Sequence, residues 1–130
     1  MMLHHISFAV SDLARSIAFY DAALGTLGYV RVWTDRTAAG YGPPGGEDLF
    51  ALKARTQALS VPGDGFHLAF AAPDRQAVSG FHATALRQGG RDNGPPGLRA
   101  EYGADYFAAF VVDPDGYRIE AVCSGRPAQP

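Results

Sequence analysis

Two histidines and one glutamate, His5, His67 and Glu120, carry the chemistry that this chain can offer. Two neutral imidazoles and a carboxylate suit zinc, iron(II), manganese, nickel or cobalt, and such a set leaves positions open for a substrate and water. A metal so held polarises a carbonyl, stabilises an enediolate or activates dioxygen. The three residues form no compact motif, so a second reading stands beside the first: two hydrogen-bonded strand histidines and a solvated charge. The elements that carry them decide between the two.

Glu120 lies in the stretch 113–122, where Asp113, Pro114, Asp115 and Gly116 read as a turn. Pro114 presets the backbone for the first corner and Gly116 takes the positive φ that ends it. An apolar, strand-like run at 107–112 precedes the turn. After it Tyr117, Ile119 and Ala121 alternate with Arg118, Glu120 and Val122, the two-residue period of a strand. The product is a hairpin that holds a single carboxylate on a strand, with Arg118 on the same face.

The histidines open two copies of one unit. Residues 5–10 match residues 67–72, and the same offset of 62 pairs Asp12 with Asp74, Phe19 with Phe81, Leu24 with Leu86 and Gly28 with Gly90. Coincidences at one offset, each in a matching role, indicate a duplicated unit. In the first, a strand at 5–10 alternates Ile6, Phe8 and Val10 with His5, Ser7 and Ala9. Ser11 and Asp12 suit a helix start, and Leu13, Ile17, Tyr20 and Leu24 then recur at helical spacing before Gly25. Strands are predicted at 29–34, 38–41 and 49–54, after the break at Pro43, Pro44, Gly45 and Gly46. The second unit repeats the order: a strand at 66–71, a helix with Val78, Phe81, Ala85 and Leu86 on one face, a stop at Gly89 and Gly90, and a weak strand near Arg91. A loop through Gly94, Pro95, Pro96 and Gly97 then runs past Arg99, Tyr102 and Asp105 as a flap over the site. In both units the large apolar residues of the first strand face the helix. The other face holds small residues and one imidazole, so two sheets curved round one hollow bring His5, His67 and Glu120 to its lining.

The chain as a whole permits this and excludes much else. Its 130 residues, 47% hydrophobic and 18% charged, make one globular domain of ordinary composition. A formal net charge of −2 gives no electrostatic case for nucleic acid or an anionic membrane surface. No apolar run reaches the length of a membrane span and no signal-peptide pattern opens the chain. A single cysteine, Cys123, fits the reducing cytoplasm. The expected organisation is one domain over 1–125, made of modules 1–56 and 65–125, with a tail at 126–130.

The run from His5 to Tyr20, with Ile6, Phe8, Val10, Asp12, Leu13, Ser16 and Phe19, together with Asp113, Pro114, Asp115, Gly116, Ile119 and Glu120, resembles the vicinal oxygen chelate superfamily. Glyoxalase I, extradiol dioxygenases, fosfomycin-modifying thiol transferases and bleomycin-resistance proteins belong to that group. The resemblance implies an α+β fold of two paired βαβββ modules, a curved mixed sheet round a cup, and helices outside. It implies that His5, His67 and Glu120 are ligands of a divalent metal, and that the protein forms a homodimer in which His5 meets either its own chain's His67 and Glu120 or those of a second copy. Glyoxalase I has a fourth protein ligand on the last strand of its first module. Matching Phe50 to Ile119 puts Ala51 at that place, with Glu47 too early and Gln57 in the following loop. The three-ligand pattern resembles the extradiol dioxygenases and the fosfomycin transferases instead, although only Arg99 and Arg118 offer themselves as cations for a phosphonate.

The function expected is therefore that of a cytoplasmic, metal-dependent, glyoxalase-like enzyme on a small molecule that chelates through adjacent oxygens: a lyase, isomerase, dioxygenase or thiol transferase. Glu120, Tyr102 and Arg118 are the candidate catalytic residues. Arg118 either anchors an anionic substrate or is a surface cation, and Tyr102 and Tyr106 either donate a proton to an oxyanion or pack with a wet tip. Trp33 is read as core or pocket wall, Cys123 as a small buried residue, and His4 and His82 as facing solvent. The alternative functions are a metal-free drug- or metabolite-binding protein of the bleomycin-resistance type, or a module that kept only the fold.

Overall fold

Asp12 and Asp74 start the two helices in the same way. Asp12 accepts the backbone N–H of Arg15 at 3.1 Å and Asp74 that of Ala77 at 2.8 Å, which supplies a partner to one of the free N–H groups of a first helical turn. The computed structural model describes residues 2–125; Met1 and the expected tail at 126–130 lie outside the described residues. The chain runs β1 (Ile6–Val10), α1 (Leu13–Gly25), β2 (Val30–Thr34), β3 (Ala38–Gly42) and β4 (Phe50–Ala54). It then repeats the order as β5 (Leu68–Ala71), α2 (Arg75–Arg87), β6 (Arg91–Leu98), β7 (Phe107–Val112) and β8 (Arg118–Cys123), with a short 3-10 turn at Ala100–Tyr102.

Each unit folds into one four-stranded mixed sheet. The orders are β1-β4-β3-β2 and β5-β8-β7-β6, with the opening strand parallel to the closing one. This is the paired βαβββ arrangement. Phe8, Val10, Phe19, Leu24, Leu52, Phe81, Val111 and Ile119 form a single core between sheets and helices. Phe19 and Phe81, paired by the 62-residue offset, are both fully buried. Leu24 and Leu86 part company: Leu24 is buried, whereas Leu86 lies one residue past the stripe Val78, Phe81 and Ala85 and so falls on the rim of α2.

The modules are tied at their free strand edges. Tyr117 of the second module donates its hydroxyl to the Ala9 carbonyl at 2.8 Å, and Tyr29 of the first donates to the Ala71 carbonyl at 2.8 Å. Ala9 and Ala71 are themselves equivalent under the repeat, so each opening strand has an edge carbonyl satisfied by the other module. Tyr117 also stacks on Phe8 with ring centroids 4.0 Å apart.

One difference from expectation lies in β6. Gly94, Pro95, Pro96 and Gly97 do not form a free loop but continue the strand through two register shifts against β7. An edge strand accommodates proline because its outward N–H has no ladder partner to lose. The flap therefore starts later, around the turn at Ala100–Tyr102.

Burial also fixes the protonation of the core phenols. Tyr20 is held well above its ordinary value, first by burial and then by the neighbouring Asp113 carboxylate, and Tyr41 is raised by burial and by Asp21. The folded protein keeps protons that the unfolded chain releases above about pH 10, so stability falls as pH rises past that point. Tyr20 alone contributes a slope of about 1.4 kcal/mol per pH unit. Urea midpoints at pH 8 and pH 11 test this: Tyr20→Phe is expected to be less stable than wild type at pH 8 but to lose less on going to pH 11. An equal loss in both proteins would contradict the assignment.

Candidate functional site

Glu120 breaks the apolar pattern of its sheet, a carboxylate in the middle of β8 whose side chain is 1% exposed. It stands in register with Ala69 on β5 and Phe110 on β7, on the face away from α2. The methyl of Ala69 leaves room above it. Tyr106, at the run-in to β7, donates its hydroxyl to Oε2 in a short hydrogen bond. Burial, and then the bond to Glu120, push the Tyr106 phenol up to about 12, so it is a proton donor at neutral pH. The other oxygen, Oε1, lies 2.9 Å from Nε2 of His67, yet the ring N–H does not aim along that line and Oε1 has no hydrogen-bond partner.

A buried carboxylate oxygen without a donor is costly unless something cationic faces it. The 2.9 Å edge between Oε1 and Nε2 is also the separation of two donors bound at right angles to one divalent ion at about 2.1 Å. The pair thus fits a metal ion. His67 is half exposed, which leaves an open side for further ligands and substrate, and Phe110 walls it at 6.1 Å between ring centroids.

His5 does not join that pair within the chain. Among the described residues no three His, Cys, Asp or Glu side chains are grouped to hold a metal ion. His5 instead shares a proton with His4, Nδ1 to Nδ1 at 2.9 Å, and both line an apolar hollow of about 250 Å³ beside Leu24, Tyr29, Phe50 and Leu68. His4 therefore turns to the same side as His5 rather than to the opposite face. Ser7, register partner of Ala51, is the repeat equivalent of Ala69, register partner of Glu120. Ala51 is thus confirmed in position as the counterpart of Glu120, and it cannot bind metal. Trp33 covers this part of the first sheet, packed so closely on Gly40 that a Cβ there would meet the indole Nε1 at 2.2 Å.

The other candidates are sorted by their partners. Arg118 lies on the Glu120 face but donates to Asp64 at 2.8 Å, a surface pair that closes the preceding loop onto β8. Tyr102 is 62% exposed and meets Tyr106 ring to ring at 5.3 Å, so it lies outside the tyrosine that touches Glu120. His82, expected in solvent, is nearly buried and pairs with Asp92 of β6 at 2.8 Å. Sequence reasoning weighed Tyr106 but put Tyr102 first, and it passed over Phe110. The signal for both was strand parity, since Tyr106 and Phe110 share the even-numbered face of β7 that pairs with Glu120. No helix is long and apolar enough to cross a membrane among the described residues.

Comparisons with known proteins agree with this fold. A crystal structure of a glyoxalase/bleomycin resistance protein from Albidiferax ferrireducens T118 is 34% identical over 98% of this chain and 100% of that one, with a TM-score of 0.81. A glyoxalase/bleomycin resistance protein/dioxygenase family enzyme from Burkholderia phytofirmans PsJN shares the fold at 14% identity, over 94% of this chain and 98% of its own, with a TM-score of 0.71. A glyoxalase-related enzyme from Fulvimarina pelagi does so at 20% identity, over 94% and 87%, with a TM-score of 0.69. No curated protein matches. The family model of the Glyoxalase/Bleomycin resistance protein/Dioxygenase superfamily matches residues 2–121, and the chain belongs to that superfamily.

Proposed function

We propose that the protein is a metal-dependent enzyme of the glyoxalase type, acting on a small molecule that presents two adjacent oxygens. The observation that supports this reading is the buried, donor-less Oε1 of Glu120 beside Nε2 of His67. His67 and Glu120 would hold the ion, and when bound it supplies Lewis acidity toward the substrate oxygens. Tyr106 fixes the Glu120 carboxylate through Oε2, so that Oε1 stays turned toward His67. Phe110 shields one side of the imidazole from water, and the exposed side of His67 admits substrate. The third protein donor in this reading is His5 of a second copy, in a homodimer that builds each site from two chains. His5 is exposed, and the ring nitrogen not shared with His4 has no partner among the described residues.

Elemental analysis of protein purified without chelator tests the reading, with about one divalent ion per chain as the expected result. His67→Ala and His5→Ala are each expected to lose the ion while keeping the fold by circular dichroism. Mixing the two variants is expected to restore about a quarter of the sites, because a mixed dimer holds one intact set. A metal-free protein that takes up no added zinc, manganese, iron(II), nickel or cobalt would instead be a binder of the bleomycin-resistance kind.

A further inference from the structure

We propose that Arg99 is an anion receptor and that the substrate is a small organic acid, its carboxylate paired with this guanidinium while the neighbouring oxygen faces His67 and Glu120. Arg99 directly follows β6, and its backbone N–H donates to the Tyr106 carbonyl at 2.8 Å, so it is anchored across the flap from the tyrosine that touches Glu120. Its guanidinium carbon lies 5.4 Å from the Phe110 ring centroid, and Phe110 is the ring that also walls His67. Nη2 donates to the Pro95 carbonyl at 2.6 Å. The two glycines beneath it leave it room: a Cβ at Gly97 would lie 2.9 Å from Nη1, and one at Gly94 3.3 Å from Nη2.

The guanidinium is thus held in place without being neutralised. Arg118 is paired with Asp64, Arg15 with Asp115, Arg31 with Asp21 and Arg75 with Asp105; among the described residues no carboxylate reaches Arg36, Arg55, Arg87, Arg91 or Arg99, and of these five Arg99 is the one held over an aromatic ring. Phe110, the ring on which Arg99 lies, is the register partner of Glu120. Four of its five donors stay free on a planar fork that matches a carboxylate. A cation fixed by a carbonyl and a ring, and left without a counterion next to a substrate opening, is arranged for an anion that arrives from solution. The proposal rests on the metal reading only for where the second oxygen goes.

Titration calorimetry with oxalate and with its neutral diamide, oxamide, separates the two readings when run on chelator-stripped and on metal-loaded protein. In the stripped protein oxalate is expected to bind at least about tenfold more tightly than oxamide, and more weakly as salt rises. Arg99→Gln is expected to weaken oxalate about tenfold in both preparations, Arg99→Lys to recover part of that, and Arg118→Gln to change it less than about twofold. Equal binding of oxalate by Arg99→Gln and wild type, or equal binding of oxalate and oxamide by stripped wild type, or no binding of oxalate there, would overturn the proposal. Should Arg99→Gln not fold, the wild-type contrast between oxalate and oxamide still decides. Metal content measured on the same samples keeps the metal reading separate: loss of the metal-dependent increment alone overturns that reading and leaves Arg99 standing.

Discussion

Glu120→Gln is expected to lower divalent-metal affinity on the order of a hundredfold or more, while the metal-free protein becomes as stable as wild type or more so by about 1–3 kcal/mol. The two halves of that result follow from one geometry. The carboxylate is fully buried in β8, and only Oε2 has a donor. Without a cation, Oε1 is a charged acceptor out of water with nothing to meet it, and removing the charge relieves that penalty. A structural carboxylate behaves in the opposite way: deleting it would unfold the protein. Thermal melts of stripped wild type and stripped Glu120→Gln therefore separate the roles, since a drop of several degrees in the variant would mark Glu120 as structural. Tyr106→Phe isolates the supporting bond. It leaves both donors in place but frees the carboxylate to rotate, so metal affinity is expected to fall about tenfold, less than for Glu120→Gln.

The fold was largely legible because the chain states it twice. Asp12 and Asp74 cap helices, Phe19 and Phe81 fill the core, and the match of Phe50 to Ile119, which makes Ala51 the counterpart of Glu120, agrees with a register in which Ala51 pairs with Ser7 as Glu120 pairs with Ala69. These are local signals: a capping side chain, a buried period, a two-residue alternation. What escaped was set by non-local packing. Gly94, Pro95, Pro96 and Gly97 read as a loop by composition, but the neighbouring β7 recruits them into an edge strand where proline loses nothing. His82 looked solvent-facing from its helical phase, and Asp92 on the next strand draws it inward.

The candidate site divides along the same line. His67, just before β5, and Glu120 on β8 come together because they share one face of these two neighbouring strands, a relation that alternation can reveal. His5 belongs to the other sheet, and nothing local in the sequence says how far apart two sheet faces lie or whether a second chain closes the gap. Arg118 and Arg99 both offered themselves as cations in the sequence, and strand alternation put Arg118 forward as the catalytic candidate. Only the structure separates them, by giving Asp64 to one and an aromatic ring with no carboxylate to the other.

Asp113→Ala carries the largest expected effect on stability, a loss of about 3–5 kcal/mol. Asp113 is buried and accepts three bonds: the Tyr20 hydroxyl at 2.6 Å and the backbone N–H groups of Asp115 and Tyr117 at 2.9 Å each. Burial raises its carboxyl against the lowering effect of these donors. Alanine would leave all three donors without a partner, in the turn where Gly116 adopts φ 103° and in the core of the other module at once. With total stabilities of about 5–15 kcal/mol for such domains, the melting temperature is expected to fall by on the order of 10–20 °C. Asp113→Asn keeps an acceptor and removes the buried charge, so its loss should stay near about 1 kcal/mol. A double-mutant cycle of Asp113→Asn with Tyr20→Phe, read by urea unfolding, should then give a coupling of about 0.5–3 kcal/mol. Additivity of the two, or a loss below about 1 kcal/mol for Asp113→Ala, would remove Asp113 as the link between modules. Because six register pairs hold β8 to β7 beyond the turn, the folded fraction of Asp113→Ala at low temperature is expected to bind metal as wild type does. The residue that fastens the turn is thereby separable from the residue that the turn displays.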